Sequence, residues 1–224
     1  MIRVYIVDDH ELVRNGVKRL LADASSIKVI GEAGRGEDAV AYVRDEANRM
    51  PDVILMDIQM PGIGGMEATR KILHLNPDIK IIALTAYVDE PFPSRLLQAG
   101  AAGYLTKDTG ADEMIQAIRA VNAGQRYISP GIAQQLALKR FVSGETSPLD
   151  VLSERELQVM LMITQGVKVQ DISEKLHLSP KTVNSYRYRL FEKLGVTSDV
   201  ELTHLAIRLG LIENLSSPFN SEDT

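Results

Sequence analysis

Over its first 122 residues the chain alternates five times between a short apolar run and an amphipathic stretch of helical period. The runs predict strands near 2–7, 27–33, 52–56, 79–84 and 102–105, and the stretches predict helices near 11–23, 36–48, 64–75, 88–100 and 110–122. Strands that are each followed by a helix pair in parallel, because the helix returns the chain to the same edge of the sheet. Val4-Tyr5-Ile6-Val7, Val53-Ile54-Leu55-Met56 and Ile81-Ile82-Ala83-Leu84 are apolar throughout rather than alternating, which suits strands covered by helices on both faces. The expected fold is therefore α/β, a doubly wound five-stranded parallel sheet. Pro91 and Pro93 should delay or distort the start of the fourth helix, since proline fits only a helix's first turn.

The remainder reads differently. Residues 123–148 form a linker, helical over 130–142 and hinged at the breaker-rich Ser143 to Pro148. Residues 149–212 carry helices near 153–165, 169–176, 180–194 and 198–209 with no strand signal, an all-α, four-helix domain, and 213–224 is a flexible tail. Ser153 with Glu156 and Ser198 with Glu201 match capping boxes, Ser179-Pro180 an N-cap followed by proline, and Gly195 a helix stop. With 224 residues and 45% hydrophobic content, two domains can each bury a core. The absence of cysteine excludes disulfides and thiolate zinc sites, and the four histidines, His10, His74, His177 and His204, are too far apart in sequence for a local ligand motif. The N-terminus does not resemble a signal peptide and no apolar run reaches membrane-spanning length, so the expectation is a cytoplasmic protein with no membrane partner.

Chemistry concentrates at the strand ends of the first domain. Asp8 and Asp9 close the first strand and Asp57 the third, and in doubly wound sheets ligands bind beyond the carboxyl ends of the strands where the strand order reverses. Three convergent carboxylates repel one another, and a hard divalent cation with oxygen ligands, Mg²⁺, is the simplest neutraliser. Thr85 ends the fourth strand and Lys107 follows the fifth, which brings a hydroxyl and an ammonium to the same edge. Singly, each residue has an ordinary explanation: a cap, a turn, a β-former, a solvated lysine. Together they suit phosphoryl transfer, with Asp57 as nucleophile, the cation and Lys107 offsetting charge, and Thr85 hydrogen-bonding a phosphoryl oxygen.

Through Val7-Asp8-Asp9, Met56-Asp57, Met60-Pro61-Gly62, Leu84-Thr85-Ala86 and Tyr104-Leu105-Thr106-Lys107, residues 1–122 resemble the flavodoxin-like receiver domain of two-component response regulators. The resemblance implies that Asp57 accepts a phosphoryl group from a sensor histidine kinase. It also implies that Asp8, Asp9, Asp57 and the backbone carbonyl of Gln59 hold Mg²⁺, and that Thr85 and Tyr104 form a switch pair whose ring turns inward. Asp108 follows Lys107 where many receivers have proline.

In the helical domain the third helix is amphipathic: Val183, Tyr186, Leu190 and Leu194 share one side, while Lys181, Asn184, Ser185, Tyr188 and Glu192 cluster opposite. Its basic residues, Lys181, Arg187, Arg189 and Lys193, face only Glu192 between 179 and 195, so any DNA contact should be local to this helix. With the preceding short helix and the His177-Leu178-Ser179 turn it reads as a helix-turn-helix. Leu152-Ser153-Glu154-Arg155-Glu156, Ile172-Ser173, Ser179-Pro180-Lys181-Thr182-Val183-Asn184 and Lys193-Leu194 resemble the LuxR-type DNA-binding domain, over 149–212. The combination resembles NarL/FixJ-type response regulators, and Ser179 through Arg189 is most similar to the GacA/UvrY subgroup, which activates genes for small regulatory RNAs. By position, Lys181, Thr182 and Arg187 would touch phosphates of double-stranded promoter DNA, and Asn184, Ser185 and Tyr188 would face bases.

Residues 151–224 carry 8 basic against 10 acidic residues and lack the positive excess for tight monomeric binding. The final helix places Val200, His204 and Ile207 opposite the inward-facing Leu202, Ala206 and Leu209, a stripe suited to a homodimer on a palindromic site when active. Two other readings are weaker. A phosphatase with an aspartyl nucleophile, of the haloacid-dehalogenase type, needs a second acid two residues after the nucleophile, where this chain has Gln59. A flavodoxin-like FMN module needs a phosphate loop after the first strand, where this chain has acids. Apart from transfer to and from Asp57 itself, no enzymatic activity is expected.

Overall fold

The structure, a computed structural model, describes residues 1–85, 92–134, 148–209 and 211. It divides into two compact units with the break between Ser147 and Pro148. The first holds β1 (Ile2–Val7), α1 (Glu11–Leu21), β2 (Ile27–Ala33), α2 (Gly36–Arg44), β3 (Val53–Asp57), α3 (Gly64–Leu75) and β4 (Lys80–Thr85). It continues with α4 (Phe92–Gln98), β5 (Gly103–Thr106), α5 (Ala111–Asn122), β6 (Tyr127–Ile128) and a helix whose described part is 130–134, α6. Every strand pairing is parallel, in the order β2-β1-β3-β4-β5-β6.

The doubly wound parallel sheet is as expected, but it has six strands rather than five. The sixth is two residues long, pairing Tyr127 with Gly103 and Ile128 with Tyr104. Two residues carry no readable period, which is why the sequence placed them in the linker. Gly124, at φ 83°, turns the chain out of α5 and back to the sheet, a left-handed conformation that glycine adopts without steric cost. The fourth helix starts at Phe92 with Pro93 in its first turn, inside the expected 88–100. Ala86, Pro91, residues 135–142 of the expected linker helix, most of the hinge segment and the 213–224 tail lie outside the described residues.

Successive strand residues point to opposite faces, and the core divides accordingly. Val4, Ile6, Val53, Leu55, Ile82 and Leu84 pack with Val17 and Leu21 of α1 and with Met114, Ile118 and Val121 of α5. Tyr5, Val7, Ile54, Met56 and Ile81 pack with Val40 and Val43 of α2 and with Ala68 and Ile72 of α3. Burial on both sides fixes each strand's register, because a slip of one residue would exchange the two faces.

The second unit holds a 3₁₀ turn (Pro148–Val151), α7 (Glu154–Thr164), α8 (Val169–Leu176), α9 (Pro180–Leu194) and α10 (Asp199–Arg208). Leu157, Ile172, Val183, Leu190, Leu202 and Ala206 form its buried side. Ser153 forms the complete capping box with Glu156, and Ser179 caps α9 ahead of Pro180. The second expected box is only half made. Ser198 Oγ accepts from the Glu201 N–H at 3.2 Å, but the Glu201 carboxylate accepts from the Thr197 N–H at 2.7 Å, one residue too early for a reciprocal box.

Glu156 joins three elements. Its Oε2 accepts from the Ser153 N–H at 2.7 Å and from Lys193 Nζ at 2.6 Å, and Lys193 also donates to the Val151 carbonyl at 3.1 Å. Burial works against the charge of Glu156, yet Lys193 and Ser153 outweigh it and hold the carboxyl below its ordinary value of 4.5. A carboxyl depressed by folding contributes stability above the unfolded value and loses that contribution as pH falls through the folded one. Glu156→Gln should therefore cost the second unit about 1–3 kcal/mol at neutral pH. The difference from wild type should shrink below pH 4.5. Hydrogen exchange of α7 and α9 amides across pH checks this, and a difference independent of pH would refute it.

Candidate phosphoacceptor site and helix-turn-helix surface

The order β2-β1-β3 makes β1 and β3 neighbours from which the connections diverge, so a crevice opens beyond their carboxyl ends. Asp57 is the last residue of β3, Asp8 follows β1, Thr85 is the last residue of β4 and Lys107 follows β5. Asp8, Asp57 and Thr85 are buried and Asp9 is exposed. Lys107 Nζ lies 2.7 Å from Asp57 Oδ2 and 2.7 Å from Asp8 Oδ2, bridging two strands.

Burial pushes the Asp57 carboxyl up to about 6; Lys107 pulls against this, while Asp8 adds to it. Lys107 is also desolvated, but its two carboxylate partners hold its pKa above the usual lysine range. The ammonium is thus the positive charge that offsets the burial of the Asp57 carboxylate.

One ligand atom each from Asp8, Asp9, His10 and Asp57 lies within 4.8 Å of all the others. The oxygen-rich set fits a hard divalent ion. His10 is too far in sequence from the other histidines for a local ligand motif, and it joins the cluster beside carboxylates instead. Here its Nδ1 lies 2.8 Å from Asp9 Oδ1 and 3.3 Å from Asp8 Oδ1. Gln59 reaches the cluster through its N–H, which donates to Asp57 Oδ1 at 3.2 Å. Tyr104 is fully buried.

The site also depends on a glycine. At Gly65 a Cβ would lie 1.8 Å from the Asp57 carbonyl oxygen, and the Gly65 N–H donates to the Ile58 carbonyl at 3.0 Å, so α3 begins against the backbone of Asp57. No periodicity signals this, although Gly64-Gly65 is visible in sequence. Gly65→Ala should force α3 away, destabilise the first unit by about 1–3 kcal/mol and shift the Asp57 amide resonance. An unchanged urea midpoint would show that α3 relaxes freely.

In the second unit α8, the turn at His177 (φ 52°) and α9 form the helix-turn-helix. On α9 Lys181 and Ser185 are exposed, Tyr188 is 68% exposed, and Thr182 and Asn184 are half-buried. Arg187, on the core side of the helix, is engaged within the unit. Its Nε and Nη2 donate to the two carboxylate oxygens of Asp199, each at 2.7 Å, and its guanidinium lies over Phe191, so it faces α10 rather than outward. Lys193 is taken up by Glu156. Two of the four cations of this helix are thus neutralised within the unit. On α10 Val200 is 64% exposed, His204 is exposed and Ile207 is half-buried, whereas Leu202 and Ala206 are buried and Leu209 is half-buried. No helix among the described residues is long and apolar enough to cross a membrane.

Comparison with known proteins gives these two units their class. Residues 4–119 match the response regulator receiver domain, and residues 150–206 match the bacterial regulatory proteins of the luxR family. A receiver joined to such a helix-turn-helix is a phosphorylation-controlled, DNA-binding regulator of transcription. The chain belongs to the two-component response regulators with a LuxR-type DNA-binding domain. It is 60% identical to the response regulator GacA of Pseudomonas protegens, over 95% of this chain and 99% of that one. It is likewise 60% identical to the response regulator UvrY of Escherichia coli K12, over 97% of this chain and 100% of that one. A solved structure of RcsB from Salmonella enterica serovar Typhimurium, bound to promoter rprA in the presence of the phosphomimetic BeF3-, is 25% identical and covers 92% of this chain and 98% of its own at a TM-score of 0.62.

Proposed function

We propose that Asp57 is the phosphoacceptor, modified by a sensor histidine kinase, and that Lys107 and Thr85 serve the transfer. The observation that carries this is the 2.7 Å approach of Lys107 Nζ to both Asp57 and Asp8 at the switch point of the sheet. An Asp57 carboxylate oxygen forms a bond to phosphorus as the bond from phosphorus to the donor's leaving group breaks, which gives an acyl phosphate; water later hydrolyses it, releasing inorganic phosphate and restoring the carboxylate. Lys107 balances charge on the phosphoryl oxygens and Thr85 hydrogen-bonds one of them. Asp8, Asp9, Asp57 and the Gln59 carbonyl would hold Mg²⁺, which supplies neutralisation of the acids and of the incoming group. Thr85 and Tyr104 form the switch pair, and the buried Tyr104 corresponds to its inward position.

Incubation with acetyl phosphate and Mg²⁺ should label the wild type, and Asp57→Asn should lose the label. Labelling of that variant at the wild-type rate would remove Asp57 from the role. EDTA should also abolish uptake, since the uncompensated acids then repel the anion.

The working limits are a receiver over 1–122, a linker over 123–148, a DNA-binding domain over 149–212 and a tail over 213–224. The break between the compact units, after Ser147, supports the second boundary. On α9, Lys181 and Thr182 contact phosphates while Asn184, Ser185 and Tyr188 face bases; Arg187 contributes to phosphate contact only by leaving Asp199. Val200, His204 and Ile207 form the homodimer stripe, and phosphorylation makes the DNA-binding domain available to pair on palindromic promoter sites. Identity with GacA and UvrY supports activation of small regulatory RNA genes and a cytoplasmic setting. Titration of promoter DNA at several salt concentrations tests this surface. Lys181→Ala should weaken all sequences alike and lower the salt slope by about one, Asn184→Ala should reduce discrimination between sites, and Ile207→Glu should lower affinity by blocking pairing. Wild-type titrations for all three variants would refute it.

A further inference from the structure

The two acids that follow β1 stand on a loop, so something must fix the direction in which they leave the sheet. The last sheet bond of that strand end is the Asp8 N–H to the Ala33 carbonyl at 3.1 Å. Beyond it, the Asp8 carbonyl accepts from Arg14 Nη1 at 2.7 Å, a side chain that reaches back from α1. The Arg14 N–H donates to the His10 carbonyl at 3.2 Å, and the His10 N–H donates to Asp8 Oδ1 at 2.8 Å, so the loop is tied at three points. The Arg14 side chain is mostly buried and paired by charge with β2: its Nε lies 3.6 Å from Glu32 Oε2, an ion pair too long for a hydrogen bond, while Lys18 Nζ lies 2.9 Å from the same oxygen.

We propose that Arg14 is a positioning residue for the acidic pair: its guanidinium, with the Glu32 carboxylate nearby, fixes the Asp8 carbonyl and thereby the direction of the Asp8 and Asp9 carboxylates. This rests on the reading that those acids hold Mg²⁺. The geometry makes a prediction whose sign is diagnostic. A positive charge beside an acidic site opposes cation binding, so if Arg14 acted only through its charge, removing it would tighten Mg²⁺ binding. If it acts by holding the loop, removing it weakens binding, because groups that orient metal ligands typically change affinity about 10–100-fold when lost.

The test is a MgCl₂ titration of the full chain, followed through the backbone amide resonances of Asp9 and Asp57, for wild type, Arg14→Met, Arg14→Lys and Glu32→Gln. The expected result is affinity about tenfold lower for Arg14→Met, with smaller losses for Arg14→Lys and Glu32→Gln. At saturating Mg²⁺ the acetyl phosphate labelling rate should return toward wild type, which separates positioning from damage to the phosphoacceptor. Unchanged or tighter binding by Arg14→Met overturns the proposal. Should that variant lose the dispersed spectrum of the fold, the other two decide: weaker binding by both supports the proposal, and wild-type affinity in both overturns it. A wild type that shows no Mg²⁺ response at Asp9 and Asp57 would overturn the metal reading itself, a result separate from any effect of Arg14.

Discussion

Two buried carboxylates from adjacent strands share one ammonium, and the receiver's chemistry follows from that bridge. Asp8 and Asp57 would repel: unit charges 4 Å apart interact by about 4 kcal/mol at an effective dielectric constant of 20. Lys107, at 2.7 Å from each, converts the repulsion into a chain of alternating charge. It can do so only because β5 ends at the same edge as β1 and β3, which the all-parallel order enforces. The hydrophobic faces of the sheet therefore serve the site indirectly. By fixing register through Ile54, Met56, Ile82 and Leu84, they bring Asp57 and Thr85 to the ends of their strands together.

The helix-turn-helix unit solves a different charge problem. Its recognition helix has four basic side chains, but the unit spends Arg187 on Asp199 and Lys193 on Glu156. Those pairs tie α9 to α10 and to the start of α7. What remains outward on α9 is a mixed surface of Lys181, Ser185, Tyr188 and Arg189. A polar surface gains less from non-specific phosphate attraction than a strongly cationic one does.

Features carried by residue type at strand ends were legible in the sequence: Asp8, Asp9, Asp57, Thr85 and Lys107 stand where the alternation of runs put them. Helix limits marked by caps were also legible, as at Ser153, Ser179 and Gly195. Features decided by tertiary contact were not. β6 is too short to have a period, Glu201 selects Thr197 over Ser198, and Arg187 turns to Asp199 because α10 presents a carboxylate there. His10 and Arg14 lie on the same short segment as the acids, yet their roles depend on which way the loop turns after Val7, and pattern alone does not specify that.

The site's charge arrangement also bears on the proposed role of Asp57. A nucleophilic carboxylate must be ionised, yet the water that would stabilise its charge also blunts its attack. Burial removes that water from Asp57 and drives its pKa up to about 6, below neutral pH, so the group remains mainly a carboxylate. Lys107 opposes that rise through a hydrogen bond to Oδ2, while Gln59 N–H steadies Oδ1. Desolvation and ionisation usually exclude one another, and here an ammonium contributed by a third strand end reconciles them. A solvated surface aspartate would keep its charge without this bridge but would have no fixed partner for the incoming phosphoryl oxygens. What distinguishes Asp57 among the eighteen acidic residues within 1–122 is thus its position in the sheet rather than the side chain itself.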